Sequence, residues 1–248
     1  ISMIRKLESN GFAYVAGGNV YFDTSHLKTY GKLGGIIKLG KSRVDEDKNK
    51  RNPHDFVLWF TKSKFQDQDV KWNSPWGEGY PGWHIECSAM AIKYLGNHFD
   101  IHMGGEDLAY IHHNNEIAQS ESSTGIEPWV NYWLHSAFLI NKDALKMSKS
   151  EGNITTLENL NENGYSAIDY RYLTLGTHYR KQLIFSKEGL DSAKNARSKL
   201  NQFVLKIKTK PLKIDEGEAY LTQFSDSLND DFNTAKALSV LSKLMKDT

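Results

Sequence analysis

The sequence predicts an α/β protein with an α-helical region at its C-terminal end. Three observations predict this fold class. Helix-like, strand-like and loop-like segments alternate between residues 85 and 140, which is typical of a parallel sheet with crossing helices. Two β-prone runs flank a Gly-Gly-Asn turn at residues 17–19, as in a hairpin. From residue 187 onward, apolar residues recur at helical spacing.

The composition describes an ordinary globular protein and excludes several classes. The 248 residues are 39% hydrophobic and 25% charged, which is enough apolar material for a substantial core. The net charge of +1 means that any contact with nucleic acid must come from local patches. The single cysteine excludes an internal disulfide framework. There is no apolar run of membrane-spanning length and no signal-peptide pattern, so we expect a cytoplasmic monomer with no membrane partner.

The first 75 residues predict a small mixed region. A helix is expected over residues 2–10, followed by the hairpin at 12–23 and a solvated mixed-charge segment at 41–51. The run KRNPHDFVLW at residues 50–59 enters a strand. The Trp- and Gly-rich run at residues 72–83 predicts a loop that presents backbone and aromatic faces.

The middle of the chain alternates between helix and strand. We predict a helix from Ile85 to Leu95, a strand from Phe99 to His102, a helix from His112 to Ser122 and a strand from Trp133 to Ile140. Beyond that, the run Thr155-Thr156-Leu157-Glu158 predicts a capping box. The helices that follow are expected over residues 167–176, 187–208, 218–228 and 234–245.

Three residues in the middle segment could bind a metal ion. A cysteine thiolate, a histidine and a glutamate are good zinc ligands, and Cys87, His112 and Glu116 provide one of each. On a helix, His112 and Glu116 share one face because they are four residues apart. His113 points about 100° away around the helix, so we do not expect it to be a ligand. The alternative is that Cys87 is a small buried hydrophobe, which is common for free cysteines.

Four motifs together identify a family resemblance. The runs GWHIECSAM, HMGGEDL, HHNNEIAQSE and KMSKS occur in this order between residues 82 and 150. In this order and with these spellings, the chain resembles the cysteinyl-tRNA synthetases, which are class I aminoacyl-tRNA synthetases. The likeness runs from residue 1 to about residue 180 and continues more weakly to residue 248.

The resemblance implies a domain organisation. Residues 1–75 would be part of a connective insertion, 76–140 the second half of a Rossmann-like nucleotide-binding catalytic domain, 141–186 the KMSKS loop and stem-contact region, and 187–248 the start of a helical bundle. The family's upstream HIGH-type motif and another zinc-binding cysteine are not present in this sequence. We therefore expect a longer parent protein that contains the fourth zinc ligand.

The resemblance also implies an activity. L-cysteine and ATP, with Mg²⁺, would give cysteinyl-adenylate, and the cysteinyl group would pass to the 3′ end of tRNA(Cys). Zinc would distinguish cysteine from serine because it binds a thiolate well and a hydroxyl poorly. The sequence leaves two alternatives open, namely a related ligase that acylates an amino-sugar inositol and a non-catalytic zinc-binding paralogue.

Individual site residues follow from the resemblance. Trp83 would wall the cysteine pocket, Asp107 would hold the substrate ammonium, and Gly104 and Gly105 would let backbone approach the adenosine. The remaining predicted site residues are the zinc ligands Cys87, His112 and Glu116, the adenosine neighbour His102, and the phosphate-binding lysines Lys146 and Lys149. Each has an ordinary structural alternative: Trp83 and His102 could fill a core, and Asp107 could cap a turn. The KMSKS segment is expected to be mobile without ATP.

The sequence departs from the family pattern at several positions. Met103 replaces a third glycine, Tyr110-Ile111 replaces Phe-Pro, and Asn114 replaces a glutamate. None of these changes removes a predicted zinc ligand. They bear on the shape of the adenosine pocket.

Overall fold

The structure is a computed structural model and describes residues 1–34, 47–63, 68–141, 155–209 and 217–247. These residues form two compact units, residues 1–135 and 136–248. The boundary between these two units does not coincide with the boundaries of the four segments that the family resemblance implies. Those four segments stay a prediction. Among the described helices, none combines the length and the apolar character needed to cross a bilayer.

The first unit begins with a helix and a four-stranded antiparallel sheet. Helix α1 (Ser2–Ser9) precedes β1 (Ala13–Ala16) and β2 (Asn19–Phe22), which pair around the two-residue turn Gly17-Gly18. The predicted hairpin is therefore confirmed, with its strands one residue away from the expected bounds. Both turn glycines have positive φ, 59° and 96°, a conformation that a side chain disfavours. Strands β3 (Phe56–Phe60) and β4 (Tyr80–Pro81) complete the sheet.

A buried carboxylate joins the hairpin to the segment before β3. Asp55 is 1% exposed and accepts hydrogen bonds from the Tyr14 hydroxyl at 2.8 Å, from Thr24 at 2.8–2.9 Å and from the backbone of Asn52 at 3.0 Å. A buried carboxylate is tolerated when its oxygens are satisfied in this way. The KRNPHD run thus has a structural function, since it supplies the acceptor that holds these strands together.

The core of the first unit lies between this sheet and three helices. It is formed by Ile4, Leu7, Val20, Phe22, Phe56, Leu58, Trp59, Ile85 and Ala118. The last two belong to α2 (Trp83–Leu95) and α3 (His112–Thr124). Helix α2 begins two residues before the predicted start because Gly82, in an extended conformation, is its N-cap.

The strand–helix–strand order of the middle segment is confirmed. Strand β5 (Phe99–Gly105), helix α3 and strand β6 (Val130–Ser136) follow one another, and β5 and β6 share a sheet. Phe99 contacts Trp129 and His102 contacts Trp133, so the two strands run in the same direction. The single strand predicted from Trp133 to Ile140 is wrong: β6 ends at Ser136, and the short β7 (Leu139–Ile140) pairs with β8 (Leu183–Ile184) instead.

The second unit is mainly helical, as predicted. Helices α4 (Leu157–Glu162), α5 (Ala167–Leu175), α6 (Lys187–Thr209), α7 (Gly217–Asn229) and α8 (Thr234–Asp247) follow in order. The capping box of α4 lies one residue later than predicted. Thr156 is the N-cap and Asn159 its partner, in place of Thr155 and Glu158. Asn159 fulfils the role because its amide oxygen, like a carboxylate oxygen, can accept from the N-cap backbone.

Candidate metal centre

Helix α3 carries the candidate site and is buried on nearly every side. Its sequence, HHNNEIAQSESST, is mostly polar, yet its residues are buried from His112 to Ser120. Buried polar side chains are costly unless they are partnered. A polar helix in the interior therefore indicates a functional site rather than a packing element.

A strap formed by residues 27–34 holds α3 from outside. The Tyr30 hydroxyl donates to the side-chain amide oxygen of Asn115 at 2.5 Å. The backbone N–H of Leu33 donates to the side-chain amide oxygen of Asn114 at 3.0 Å. Lys32 pairs with Glu121 at 2.6 Å. These contacts satisfy the polar surface of α3 and fix its rotation about its own axis.

The three predicted metal ligands meet at one place. One ligand atom each from Cys87, His112 and Glu116 lie within 4.8 Å of one another. The described residues contain a second such group, His102, His113 and Glu116. Both groups share Glu116, which is fully buried. The prediction that these three residues converge is therefore confirmed at the level of geometry.

Glu116 contacts one histidine with each oxygen. Its Oε1 is 2.6 Å from His112 Nε2 and its Oε2 is 2.9 Å from His102 Nε2. Burial alone raises the pKa of the Glu116 carboxyl, but the two histidines outweigh it and lower the pKa to about 2. The two oxygens make no well-oriented hydrogen bond within the described part of the chain. A buried anionic carboxylate requires compensating positive charge or donors, which the two histidines supply here and which a bound cation could also supply.

The Cys87 thiol lies close enough to Glu116 for the carboxylate to change the pKa of the thiol. Burial first, and then the negative charge of Glu116, raise the pKa of Cys87 to about 11. Without a cation the thiol is therefore protonated at neutral pH. A metal ion would reverse this, because it binds the thiolate.

A neutral histidine orients His112. His84 Nδ1 lies 2.8 Å from His112 Nδ1. Burial, followed by the nearby His112, lowers the pKa of His84 to about 3, so His84 is neutral. In the tautomer with the proton on His112 Nδ1, His84 Nδ1 accepts a hydrogen bond from it, and His112 Nε2 could then bind a metal ion. Without a metal, the 2.6 Å contact of Nε2 with Glu116 requires the proton on Nε2 instead.

His113 also faces the interior, which the sequence argument did not anticipate. Its Nδ1 lies 2.8 Å from His135 Nε2, and its ring contacts those of His102 and Trp133. His113 points in a different direction from His112 around the helix axis, as expected. It does not reach solvent, because α3 is enclosed on that side as well. The one sequence signal for an enclosed helix was the near-absence of charged residues from His112 to Ser120. The helical spacing alone did not distinguish an enclosed helix from a half-exposed one.

The last two residues of β5 are glycines, and Gly104 has a packing reason that needs no ligand. A Cβ on Gly104 would lie 2.6 Å from the His113 ring, and one on Gly105 would lie 2.7 Å from the Asp107 carboxylate. His113 could not keep this position beside a larger residue at 104. The suggested approach of adenosine to these glycines remains a prediction.

Trp83 stands at the edge of the metal site. Its ring centroid is 4.5 Å from that of His112, while the residue as a whole is 62% exposed. It therefore covers one side of the cluster and leaves its other face open, as a pocket wall would. Asp107 is exposed in the turn that follows β5; the predicted Gly-Gly turn is wrong, because the strand extends through both glycines. His102 lies against Glu116. Lys146 and Lys149 lie outside the described residues, as does the predicted mobile loop.

Comparison with known proteins agrees with these features. Residues 1–195 match the family described as tRNA synthetases class I (C) catalytic domain, and residues 223–248 match the DALR domain. The chain is 48% identical to a cysteine–tRNA ligase of Treponema denticola, covering 100% of this chain and 55% of the relative. It is 45% identical to one of Thermococcus onnurineus, covering 97% and 53%. The chain thus spans about half the length of these curated relatives.

Solved structures support the fold. A LeuRS–tRNA–LeuAMS ternary complex of Agrobacterium radiobacter matches with a TM-score of 0.53 and 12% identity, over 71% of this chain and 29% of that one. A putative arginyl-tRNA synthetase of Campylobacter jejuni matches with a TM-score of 0.52 and 12% identity, over 99% and 53%. At this identity the likeness concerns the fold alone.

Proposed function

The chain belongs to the class I (C) family of tRNA synthetases, and we propose that the whole protein is a cysteine–tRNA ligase. In the first step the carboxylate of L-cysteine attacks the α-phosphorus of ATP, and pyrophosphate leaves. In the second step a 3′-terminal ribose hydroxyl of tRNA(Cys) attacks the carbonyl of cysteinyl-adenylate. AMP then leaves, and the hydroxyl proton passes to solvent.

This proposal rests on the observation that Cys87, His112 and Glu116 lie close together. A sulfur, an imidazole nitrogen and a carboxylate oxygen within 4.8 Å of one another form a donor set that fits zinc. The full burial of Glu116, a carboxylate shared by both candidate ligand groups, also favours a cation here. When bound, zinc would supply a soft Lewis acid that takes the substrate thiol as thiolate and binds a hydroxyl poorly.

The chain's own residues would place the amino acid. Trp83 covers the side of the cluster beside His112 and would exclude water from the thiol. Asp107 would pair with the substrate ammonium, a charge-assisted contact. His102, Gly104 and Gly105 would lie near the adenosine by resemblance, while His102 also holds Glu116.

The KMSKS lysines would act on the phosphates. Adenylate formation needs no general base, since the attacking carboxylate is already ionised. Catalysis then depends on positioning and charge neutralisation. Lys149, assisted by Lys146 and Mg²⁺, would stabilise the charge that develops on the phosphates. Replacing Lys149 with Met should lower the rate of adenylate formation about 10²- to 10³-fold with little change in melting temperature.

The proposed function is tested by three assays on the whole protein. ATP–pyrophosphate exchange that depends on cysteine would support an activating enzyme, and its absence would favour the non-catalytic paralogue. Charging of tRNA(Cys), in parallel with an amino-sugar inositol acceptor, decides between the two ligases. Bound zinc is measured on the same preparation. Exchange with serine as fast as with cysteine would contradict the role assigned to the metal site.

A further inference from the structure

A buried polar cluster joins helices α2 and α3 directly beside the metal site. Gln119 Nε2 donates to the His84 carbonyl at 2.7 Å and to the Ser88 hydroxyl at 2.6 Å, and the Ser120 hydroxyl donates to that of Ser88 at 2.9 Å. Ser88, Gln119 and Ser120 are all fully buried. We refer to these three side chains as the interhelical cluster.

The interhelical cluster continues the row of metal ligands. On α3, Gln119 follows His112 by seven residues and Glu116 by three, so the three lie on one face. On α2, Ser88 is the residue after Cys87. The contacts between the two helices thus run from the His84–His112 pair past Cys87 and Glu116 to Ser88 and Gln119.

Apolar packing holds α2 against the core but does not by itself fix its register on α3. Ile85 lies in the same core cluster as Ala118 of α3, and Ala91 and Ile92 pack against a second apolar cluster. Hydrophobic contact is non-directional, so these contacts tolerate small shifts of α2 along α3. Directional hydrogen bonds at Ser88 restrict such shifts.

Burying the Gln119 side chain costs free energy. Ordering its side chain costs rotamer entropy, and its Oε1 finds no hydrogen-bond partner among the described residues. A buried unsatisfied oxygen destabilises the fold. An apolar side chain of the same length, such as methionine, would lose similar rotamer entropy but would leave no unsatisfied oxygen. Stability alone therefore does not explain a glutamine here, whereas placement of α2 does.

We propose that Gln119 and Ser88 are positioning residues, whose hydrogen bonds between α2 and α3 set the register that brings the Cys87 thiol to His112 and Glu116. This inference rests on the zinc site of the proposed function. It assigns to these residues an effect on metal affinity that is separate from their effect on folding.

The test compares four versions of the whole protein. Gln119→Met keeps the length of the side chain but removes the donor, and Ser88→Ala removes the hydroxyl. Ser123→Ala is the matched control: the Ser123 hydroxyl is also buried, but it donates within α3, to the Ser120 carbonyl. Zinc affinity is measured by chelator competition, and Co²⁺ replaces zinc so that the thiolate-to-metal absorption reports Cys87. Thermal melts of the metal-free proteins report folding.

We expect Gln119→Met and Ser88→Ala to lose about 10- to 100-fold in zinc affinity, as outer contacts of metal sites typically do, with a weaker cobalt–thiolate band. Ser123→Ala should keep wild-type affinity even if its melting temperature falls. Wild-type zinc affinity and cobalt spectrum in both test variants would overturn the inference and leave the zinc site standing. So would an equal loss of affinity in Ser123→Ala. A wild-type protein that binds no zinc would overturn the zinc site, and the inference with it.

Discussion

Glu116 is the residue on which the site depends most. It is the common member of both candidate ligand groups, and each of its oxygens faces one histidine. If His112 and one Glu116 oxygen held the proposed zinc, the other oxygen could keep its contact with His102. His102 would then orient a metal ligand from outside the coordination sphere.

Replacing Cys87 with Ser should affect selectivity more than folding. The swap is nearly isosteric, so little cavity opens, but a soft ligand becomes a hard one. We expect weaker zinc binding and the loss of most of the preference for cysteine over serine. ATP–pyrophosphate exchange with both amino acids, bound zinc and a melting curve check this. If a folded, zinc-depleted Cys87→Ser protein still preferred cysteine, selectivity would belong to Trp83 and its neighbours.

Replacing Gly82 with Ala should separate α2 from the sheet. Gly82 has φ −68°, which suits alanine, so the effect is purely steric. The added Cβ would lie 2.1 Å from the Val57 carbonyl oxygen, which cannot move without disturbing β3. We expect a loss of roughly 3 kcal/mol or more in the free energy of unfolding, at or beyond the usual range for overpacking, measured by urea denaturation.

The control for this prediction is Gly189→Ala in α6. Gly189 is the third residue of α6. A Cβ there would meet the ends of two side chains at 3.3 and 3.4 Å, which a small side-chain shift relieves, and alanine has a higher helix propensity than glycine. We expect this variant to be as stable as the wild type or more stable. A Gly82→Ala protein with unchanged stability would show that β3 and α2 are not packed as described.

At the scale of elements, α5 is held by one buried carboxylate. Asp169 closes the capping box with Ser166 and pairs with Arg197 of α6 at 2.7 Å. Burial raises the pKa of Asp169, but the hydrogen bonds from Ser166 and Arg197 outweigh it and lower the pKa below its usual value. The Asp169 carboxylate therefore stabilises both the N-terminus of α5 and the contact between α5 and α6.

The lowered pKa predicts how stability depends on pH. A group with a depressed folded-state pKa contributes stability that is complete above its unfolded pKa, about 3.9, and is lost as the pH falls through the folded value. Asp169→Asn should therefore be less stable than wild type at pH 7, by about 1–3 kcal/mol, and the difference should shrink below about pH 4. Urea melts at several pH values test this, and a difference that does not change with pH would contradict it.

At the scale of the whole molecule, the metal should contribute to stability. A ligand that binds only the folded state stabilises it by about 2.7 kcal/mol at a free concentration 100 times its Kd. Removing zinc with a chelator should therefore lower the melting temperature of the wild-type protein, and adding zinc should restore it. The Cys87→Ser variant should respond much less. An unchanged melting temperature in the wild type would argue against a metal bound at this site.

The near-neutral charge of the molecule limits how it can bind RNA. With a net charge of +1, non-specific attraction to phosphate is weak. The proposed binding of tRNA would therefore depend on particular surfaces, and the predicted stem-contact region at residues 141–186 is the expected one.

The sequence by itself predicted most of the elements and the candidate ligand set. The hairpin, the order of helices and strands and the spacing of His112 and Glu116 are local features, because turn residues, periodicity and caps act within a few positions. Family motifs linked Cys87 to that pair, although Cys87 lies 25 residues before His112.

Only the tertiary structure shows which side chains surround those candidate ligands. That His84 orients His112, that His113 packs against Gly104 and that Gln119 binds Ser88 are contacts between distant segments. They exist because α3 is enclosed by the strap, α2 and the strands of the first unit. Helical periodicity gives the direction of a side chain around its own axis. Whether that direction leads to solvent or to another histidine depends on what packs there, and local signals do not contain that information.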